Sequence, residues 1–215
     1  DIRIVASITS FTQQNDDRFY IDGLRYQVQT GNQPWAITMP DSHTLRFEVR
    51  SGDKWVWDSA GRERAEICGE THYKPGETVT ASYEFMIEPG ASNTAWGSGE
   101  WLSIVQFHGV GYGGYPPFDI ELIGERLAVN VAYQEDGDKH PTNENFVYIA
   151  DTDIIRGKYY DVDIKANFEN NANGFVQVWV DGIQIVDYSG PVGFGTDVYW
   201  KQGIYRTSAP ETVAI

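Results

Sequence analysis

The sequence is poor in cysteine, and its apolar runs are short. Cys68 is the one cysteine among 215 residues, which excludes an internal disulfide framework and leaves the redox compartment open. Cys68 ends a strand-like run, so we expect a small core or edge residue rather than a nucleophile. Because no apolar run approaches the length of a membrane-spanning helix, no membrane partner is expected.

Positive charge is also scarce. Lys and Arg number 16 against 31 Asp and Glu, which gives a formal net charge of -15 at neutral pH. Nucleic acid is therefore not expected as a partner, since phosphate binding needs a basic face. An anionic polymer would have to bind at a local cluster of Arg and Lys on an otherwise acidic surface.

Sustained helical periodicity is absent, apart from one weak candidate turn around residues 151–156. Many strand-like stretches of moderate length are instead divided by turns rich in Gly, Pro, Asn and Asp. The clearest hairpin joins two apolar runs through Asp181-Gly182, a favoured type I′ turn pair. The pattern predicts an all-β fold, an antiparallel two-sheet β-sandwich of the jelly-roll kind, as a single monomeric domain over residues 1–215.

Three strand-like runs carry polar side chains on one face. Side chains alternate along a strand, so residues two apart in the sequence point the same way. The sets that share a face are Arg64 and Glu66, Gln106 and His108, and finally Tyr199, Lys201 and Tyr205 with Gly203 leaving room between them. Each set alone also suits the wet outer face of a sandwich. Together they predict a concave groove that gathers these polar groups around a ligand.

The same three runs resemble the signature strands of a known group of enzymes, the jelly-roll polysaccharide lyases. That group includes heparin lyase I, the glucuronan lyases and the β-jelly-roll alginate lyases. The segments that carry the resemblance are Glu-Arg-Ala-Glu-Ile at 63–67, Val-Gln-Phe-His-Gly at 105–109 and Tyr-Trp-Lys-Gln-Gly-Ile-Tyr-Arg at 199–206. The stretches most similar to the heparin-lyase-I branch are 45–53, 116–122 and 178–182. One departure is Cys68, which stands where alginate lyases usually carry a second Arg.

The resemblance implies cleavage of a uronate polysaccharide by β-elimination. The C5 proton is removed, the oxygen on C4 leaves, and a C4–C5 double bond remains. The neighbouring carboxylate must be neutralised to make that proton removable, and Arg64 with Gln106 suits this role. A base must reach C5 and an acid must reach O4. Glu66 is expected to fix Arg64 by an ion pair, and Lys201 to depress the pKa of the catalytic tyrosine or to bind substrate charge.

The sugar's stereochemistry determines how the proton transfers are shared. In glucuronate and mannuronate, H5 and O4 lie on one side of the ring, so a single tyrosine serves as base and acid. In guluronate and iduronate they lie on opposite sides, and His108 would be the base with a tyrosine as acid. The alginate lyase motif points to Tyr199 and the heparin lyase I pattern to Tyr205. We name Tyr199 first and keep both as candidates.

Other residues are candidates for contact with substrate or metal. Arg62, Tyr133 and Trp179, together with Trp101, suit binding of sugar rings or their charges, although large aromatics in a sandwich are also common in the core. Lys139 and His140 lie in a polar loop that suits closure over the groove or simple solvation. The chemistry requires no cofactor. Related lyases often bind a structural calcium, for which oxygen ligands are offered by Asp151, Asp153, Asp161 and Asp163.

Two other functions compete with the lyase. A glycoside hydrolase needs a carboxylate pair, but the Glu-x-Asp-x-x-Glu signature of laminarinase-like sandwiches is absent, with Pro117 in place of its first Glu. A non-catalytic carbohydrate-binding module would not need the Arg, Gln, His and Tyr set. The preferred substrate is glucuronan or another glucuronate polymer, with alginate as the alternative. The first residue, Asp1 rather than Met, fits a processed protein that is secreted or periplasmic.

Overall fold

The computed structural model describes residues 5–96, 99–111, 114–134 and 143–215, with only the backbone for 143 and 144. These residues form sixteen strands: β1 (Ile8–Thr9), β2 (Arg18–Ile21), β3 (Leu24–Thr30), β4 (Ile37–Asp41), β5 (Thr44–Val49), β6 (Arg62–Gly69), β7 (Thr78–Phe85), β8 (Leu102–Gly109), β9 (Phe118–Ile123), β10 (Arg126–Tyr133), β11 (Asn143–Ile149), β12 (Tyr160–Asn167), β13 (Phe175–Val180), β14 (Ile183–Ser189), β15 (Val198–Thr207) and β16 (Val213–Ala214). Across these ranges, no helix has the length and apolarity needed to cross a bilayer.

The strands form three antiparallel sheets. The largest has nine strands in the order β1-β2-β3-β6-β15-β8-β9-β10-β11. A four-stranded sheet has the order β14-β13-β12-β7, and a three-stranded sheet has the order β16-β5-β4. The chain therefore crosses repeatedly between layers, and β15, near its end, is inserted between β6 and β8.

The core lies between the nine-stranded and the four-stranded sheets. Phe107 of β8 packs on Phe168, just after β12, with ring centroids 4.8 Å apart. Trp200 of β15 meets Tyr83 of β7 at 5.8 Å, edge to face. On β7 and β12 every second residue, from Val79 to Phe85 and from Val162 to Ala166, is buried or packed against the core, as the period of two in a strand requires. The all-β sandwich is confirmed, with the three-stranded sheet as an addition to the predicted two.

Local signals predicted some elements well and missed others. The Asp181-Gly182 turn has positive φ at both residues, 50° and 76°, as a type I′ hairpin requires. The candidate helical turn at 151–156 is wrong, because that stretch consists of bends and turns. Strands β3, β4 and β16 were not predicted, and β11 begins within a stretch that was expected to be a polar loop.

A buried ion pair fastens the end of β15 to β6 on the core side. Arg206 and Glu63 are fully buried, and Nε of Arg206 donates to Oε2 of Glu63 at 2.7 Å. Nη2 of Arg206 also donates to the carbonyl of Glu211 at 2.6 Å, which ties in the C-terminal segment. Such a pair stabilises the fold only while both partners are present, because a lone buried charge is costly.

Gly203 is the place where β15 approaches its neighbours most closely. Its φ is +133°, and a Cβ there would overlap the carbonyl oxygen of Ala65 and lie 2.9 Å from the Cα of Glu66. Neither backbone atom can move without disturbing the β6–β15 pairing. Glycine is therefore required at position 203. The sequence indicated that Gly203 leaves room between the side chains of Lys201 and Tyr205, and the structure adds the close approach of the β6 backbone.

Gly203→Ala should lower the free energy of unfolding by about 3 kcal/mol, through overlap and backbone strain. Gly124→Ala is the matched control, since φ is +59° there and nothing lies within 4 Å of the added Cβ. That change should cost about 1 kcal/mol. Urea unfolding followed by tryptophan fluorescence measures both. Equal losses in the two variants would show that the close approach at Gly203 is not tight.

Candidate functional site

The three polar strands are neighbours in the nine-stranded sheet, in the order β6-β15-β8. Lys201 lies opposite both Cys68 and Gln106, Tyr199 lies opposite His108, and Tyr205 lies opposite Arg64. The predicted polar residues of these strands therefore share the sheet face that is turned away from the core. We call this surface the polar face, defined by Arg64, Glu66, Gln106, His108, Tyr199, Lys201 and Tyr205.

The carboxylate of Glu66 is the centre of the polar face. Only 1% of its side chain is exposed. One oxygen accepts from Nε2 of Gln106 at 2.6 Å, and the other contacts Nζ of Lys201 at 2.6 Å and Nη1 of Arg64. Burial alone would raise the pKa of Glu66, but Lys201 and Arg64 outweigh it and hold that pKa below its ordinary value. We call these four residues the Glu66 cluster.

Arg64 is held on every side. Its Nε and Nη2 donate to the two carboxylate oxygens of Asp58, at 2.8 and 2.6 Å. The ring of Tyr205 stacks on the guanidinium with its centroid 3.7 Å from Cζ, and the ring of Trp55 lies 5.4 Å away. Burial disfavours the charge of Arg64, but Glu66 and Asp58 raise its pKa above the ordinary value. The expected ion pair with Glu66 is present, and a second pair with Asp58 accompanies it.

Lys201 and Cys68 lie opposite each other on β15 and β6, where Lys201 is buried and Cys68 is partly buried. Burial lowers the pKa of Lys201, with Arg64 adding to the effect and Glu66 opposing it. Burial raises the pKa of the Cys68 thiol to about 11. Nζ of Lys201 is 6.0 Å from the ring centroid of Tyr205. The thiol is therefore protonated at neutral pH, which agrees with its expected non-nucleophilic role.

His108 and Tyr199 form a separate contact at one end of the polar face. The Tyr199 hydroxyl lies 3.3 Å from Nδ1 of His108, which is also 3.2 Å from the carbonyl oxygen of Gly109. Burial, followed by the charge of Lys201, lowers the pKa of His108, so its imidazole is neutral at neutral pH. Burial also raises the pKa of Tyr199 well above the ordinary tyrosine value.

The two candidate tyrosines have different surroundings. Six residues of strand separate them, roughly 20 Å along β15. Burial also raises the pKa of Tyr205, but the charge of Arg64 opposes that rise. Tyr199 is thus paired with His108, whereas Tyr205 rests on the guanidinium of Arg64.

Two of the other predicted contact residues lie beside the polar face. The guanidinium of Arg62 stacks over the ring of Trp101, with Cζ 4.2 Å from its centroid. The Trp101 ring in turn meets Tyr205 edge to face at 5.8 Å. Arg62 and Trp101 therefore continue the surface beyond Arg64 and Tyr205. Lys139 and His140 fall outside the described residues.

Tyr133 and Trp179 were predicted to contact sugar rings in the groove, and this prediction is wrong because neither residue reaches the polar face. Trp179 belongs to β13 in the four-stranded sheet, and it pairs with exposed Asp163 on the outer side of that sheet. Its core-facing neighbour on the strand is Val178. Tyr133 ends β10, two strands from β8. It lies near Tyr188 of the four-stranded sheet, where burial and then Tyr133 raise the pKa of Tyr188. Alternation indicated a face for each residue, but not the sheet to which the strand belongs.

The aspartates proposed for calcium do not come together. Within the described ranges no group of three or more His, Cys, Asp or Glu side chains is arranged to hold a metal ion. Asp163 instead accepts a hydrogen bond from the hydroxyl of Ser82, and the backbone N–H of Asp161 donates to Asp181. A structural calcium stays a prediction without a site among these four residues.

The sequence did not indicate three residues that adjoin the polar face. Asp58 precedes Arg64 by six residues in a turn, so no strand alternation marks it. The ring of His72 lies 6.0 Å from that of Tyr199. Asp119 of β9 pairs in register with Gln106 and accepts from the hydroxyl of Ser103 at 3.3 Å. Only Asp119 carried a usable signal, the alternation of Asp119 and Glu121 along β9.

Glu66→Gln should lower the free energy of unfolding by about 3 kcal/mol, because it leaves two buried cations short of a counter-charge. The pKa of Glu66 is depressed in the fold, so its charged form stabilises the protein above the ordinary value of about 4.3. That stabilisation is lost as the pH falls through the folded-state pKa, and the wild type and variant should therefore converge in acid.

Urea unfolding across a pH series measures this effect. Glu70→Gln is the control, since Glu70 forms only exposed pairs with Arg18 and Arg25 and should lose less than about 1 kcal/mol. A similar loss of unfolding free energy in the two variants, or a difference between wild type and Glu66→Gln that does not change with pH, would contradict the claim that the charge of Glu66 stabilises the fold.

Comparisons with solved structures agree with this fold. The structure of endo-β-1,4-glucuronan lyase from the fungus Trichoderma reesei is similar with a TM-score of 0.61 at 15% identity, over 88% of this chain and 84% of that one. Alginate lyase A1-II′, of polysaccharide lyase family 7, gives 0.57 at 15% identity over 88% and 89%. Alginate lyase AlyC3 gives 0.55 at 11% identity over 97% and 86%. At these identities the likeness shows the fold alone.

Two sequence comparisons were informative, one with curated proteins and one with protein families. No curated protein sequence matches the chain. A family model described as polysaccharide lyase matches residues 9–215, nearly the whole chain. The protein therefore belongs to the polysaccharide lyase family and is a polysaccharide lyase.

Proposed function

We propose that the protein cleaves a glucuronate-containing polysaccharide, such as glucuronan, by β-elimination at the polar face. The observation that carries this proposal is the Glu66 cluster with Tyr205 stacked on Arg64 at 3.7 Å. It sets cationic and amide donors beside a group able to transfer a proton. A binding module has no need of buried charges arranged in this way, since such an arrangement is costly to fold.

The first requirement of the reaction is to neutralise the uronate carboxylate, so that charge can build up there as the C5 proton leaves. Gln106 uses one N–H of its amide on Glu66, and the amide nitrogen carries a second. Arg64 and Lys201 supply the positive charge. On a chain with a net charge of -15, these two cations are the groups of the polar face that a uronate carboxylate can meet.

The second requirement is a group that takes the C5 proton and protonates O4. Tyr205 is better placed for this proton transfer than Tyr199, the tyrosine that the alginate lyase motif indicates. The guanidinium of Arg64 stabilises a Tyr205 phenolate and opposes the rise in pKa caused by burial. Burial holds the pKa of Tyr199 higher, and its hydroxyl is already engaged with His108. In this scheme the Tyr205 phenolate removes H5 and then returns that proton to the leaving O4.

Stereochemistry favours glucuronate or mannuronate over guluronate, and the lack of a second Arg favours glucuronate over mannuronate. One tyrosine is enough when H5 and O4 share a side of the ring, and Tyr205 is the only tyrosine of the Glu66 surroundings in contact with Arg64 within the described ranges. Cys68, which replaces the second Arg usual in alginate lyases, faces Lys201 on the same surface. The site therefore has one cation fewer than the alginate pattern. A polymer substrate of this kind is met outside the cell, which supports a secreted or periplasmic location.

Alginate is the second candidate, on the strength of His108. Its lowered pKa keeps the imidazole neutral, as a base for guluronate must be. His108 lies two residues from Gln106 on the same face of β8. If His108 is the base, guluronate rather than glucuronate would be cleaved.

Tyr205→Phe should abolish formation of unsaturated product from glucuronan, a loss of at least about 10²-fold, because the proton-transfer group is removed. Tyr199→Phe is the matched control and should retain activity within about tenfold. Ultraviolet absorbance of the C4–C5 double bond measures both. Loss of activity in Tyr199→Phe with activity retained in Tyr205→Phe would reverse the assignment.

His108→Ala should leave cleavage of glucuronan within about tenfold of the wild type, since the syn elimination needs no second base. The assay compares glucuronan, polymannuronate and polyguluronate for both proteins. Cleavage of polyguluronate by the wild type, lost in His108→Ala, would favour the alginate alternative. New reducing ends without absorbance would indicate hydrolysis and defeat the lyase proposal.

A further inference from the structure

The guanidinium of Arg64 has little capacity left for a substrate. A guanidinium offers two forks that can hold a carboxylate by parallel hydrogen bonds. Asp58 occupies the fork formed by Nε and Nη2, and Nη1, one arm of the other fork, goes to Glu66. The ring of Tyr205 covers one face. A uronate carboxylate has no complete fork to bind while Asp58 stays in place.

The charges of the free site already balance. Arg64 and Lys201 carry two formal positive charges, and Glu66 and Asp58 carry two negative ones. A substrate carboxylate would add a third negative charge to a region where these side chains are no more than 7% exposed. An unmatched buried carboxylate is strongly unfavourable, so one of the resident acids has to give way.

Asp58 is the acid that is able to leave. Glu66 is built into β6 and is shared among three donors on three strands. Asp58 instead lies in the segment 54–61 between β5 and β6, where Val56 and Trp57 are 64% and 74% exposed. Across the described ranges, the side chain of Asp58 is the one in this segment that hydrogen-bonds to the body of the protein.

We propose that Asp58 occupies, in the free protein, the place that a uronate carboxylate takes on Arg64, and that substrate displaces it. Release of Asp58 frees the Nε/Nη2 fork and restores the charge balance when the substrate carboxylate enters. The exchange swaps one bidentate carboxylate for another, while Asp58 gains water on an exposed segment. This inference rests on the proposed function, since the incoming group is the carboxylate of the sugar to be cleaved.

An internal competitor raises the apparent dissociation constant of the substrate by a factor of one over the fraction of time that the site is free. Asp58→Asn keeps the size of the side chain and removes its charge. The Michaelis constant for oligoglucuronate should fall by at least about fivefold, with kcat within about twofold of the wild type. Asp187→Asn, the same change on β14 of the four-stranded sheet, is the control and should alter neither constant. A kcat that falls, or a Michaelis constant that is unchanged or higher, would show that Asp58 positions Arg64 and would overturn the proposal.

A second measurement keeps Asp58 intact, in case Asp58→Asn folds poorly. In the Tyr199→Phe, Tyr205→Phe double variant, saturating oligoglucuronate should speed amide hydrogen exchange within 54–61 at least about threefold, because the segment loses its two hydrogen bonds to Arg64. The hairpin turn at Asp181-Gly182 is the internal control. Exchange within 54–61 that slows or stays constant on binding would overturn displacement.

Failure of the proposed function can be recognised separately. If no polyuronate yields unsaturated product with the wild type, that function fails. Binding of D-glucuronate, followed by calorimetry, still tests the exchange in the wild type and in Asp58→Asn. Tighter binding of D-glucuronate by at least about fivefold in the variant supports displacement, and equal or weaker binding rejects it.

Discussion

One buried carboxylate determines how the site is built. Glu66 on β6 reaches Lys201 on β15 and Gln106 on β8, so a single acid couples three adjacent strands through side chains as well as through the backbone ladder. Without Glu66, the buried cations Arg64 and Lys201 would lie on the same face with only the pair between Arg64 and Asp58 left to them among the ion pairs of the described residues. The polar face therefore depends on an interaction whose first effect is structural. The chemistry proposed for it uses the donors that this carboxylate holds in place.

Strand β15 joins that site to the core. Its alternate residues point to the polar face as Tyr199, Lys201 and Tyr205, and to the core side as Trp200 and Arg206. The buried pair of Arg206 with Glu63 and the pair of Lys201 with Glu66 both join β15 to β6, on opposite sides of the sheet. Ion pairs on both sides of one strand pairing restrict its sliding, since a one-residue slip would send each charge to the wrong face. The positions of Tyr199 and Tyr205, to which the proposed function gives proton transfer, are thereby fixed relative to the core.

Much of this could be predicted from the sequence because it depends on short-range alternation. The pairs Arg64/Glu66 and Gln106/His108 each share the face on which period two places them, and the Asp181-Gly182 hairpin forms where the turn pair predicts it. What alternation cannot supply is the order of strands across a sheet. Trp179 lies on an alternating strand as predicted, but that strand belongs to the four-stranded sheet and not to the sheet of the polar face. Asp58 lies in a turn, where side chains do not alternate and sequence periodicity gives no signal. Tyr199 and Tyr205 share a face, yet only the packing showed which of them rests on Arg64.

The single cysteine acquires a particular meaning from its place in the strand pairing. Cys68 faces Lys201 across the β6–β15 ladder, and burial keeps its thiol protonated at neutral pH. A thiol that is held protonated reacts slowly with disulfides and alkylating reagents, because the thiolate is the nucleophile. Covalent dimers through Cys68 are therefore disfavoured at neutral pH, although the side chain is only partly buried. The rate at which this thiol is labelled reports how readily the polar face tolerates a new negative charge beside Lys201, read at the centre of the sheet rather than at its edge.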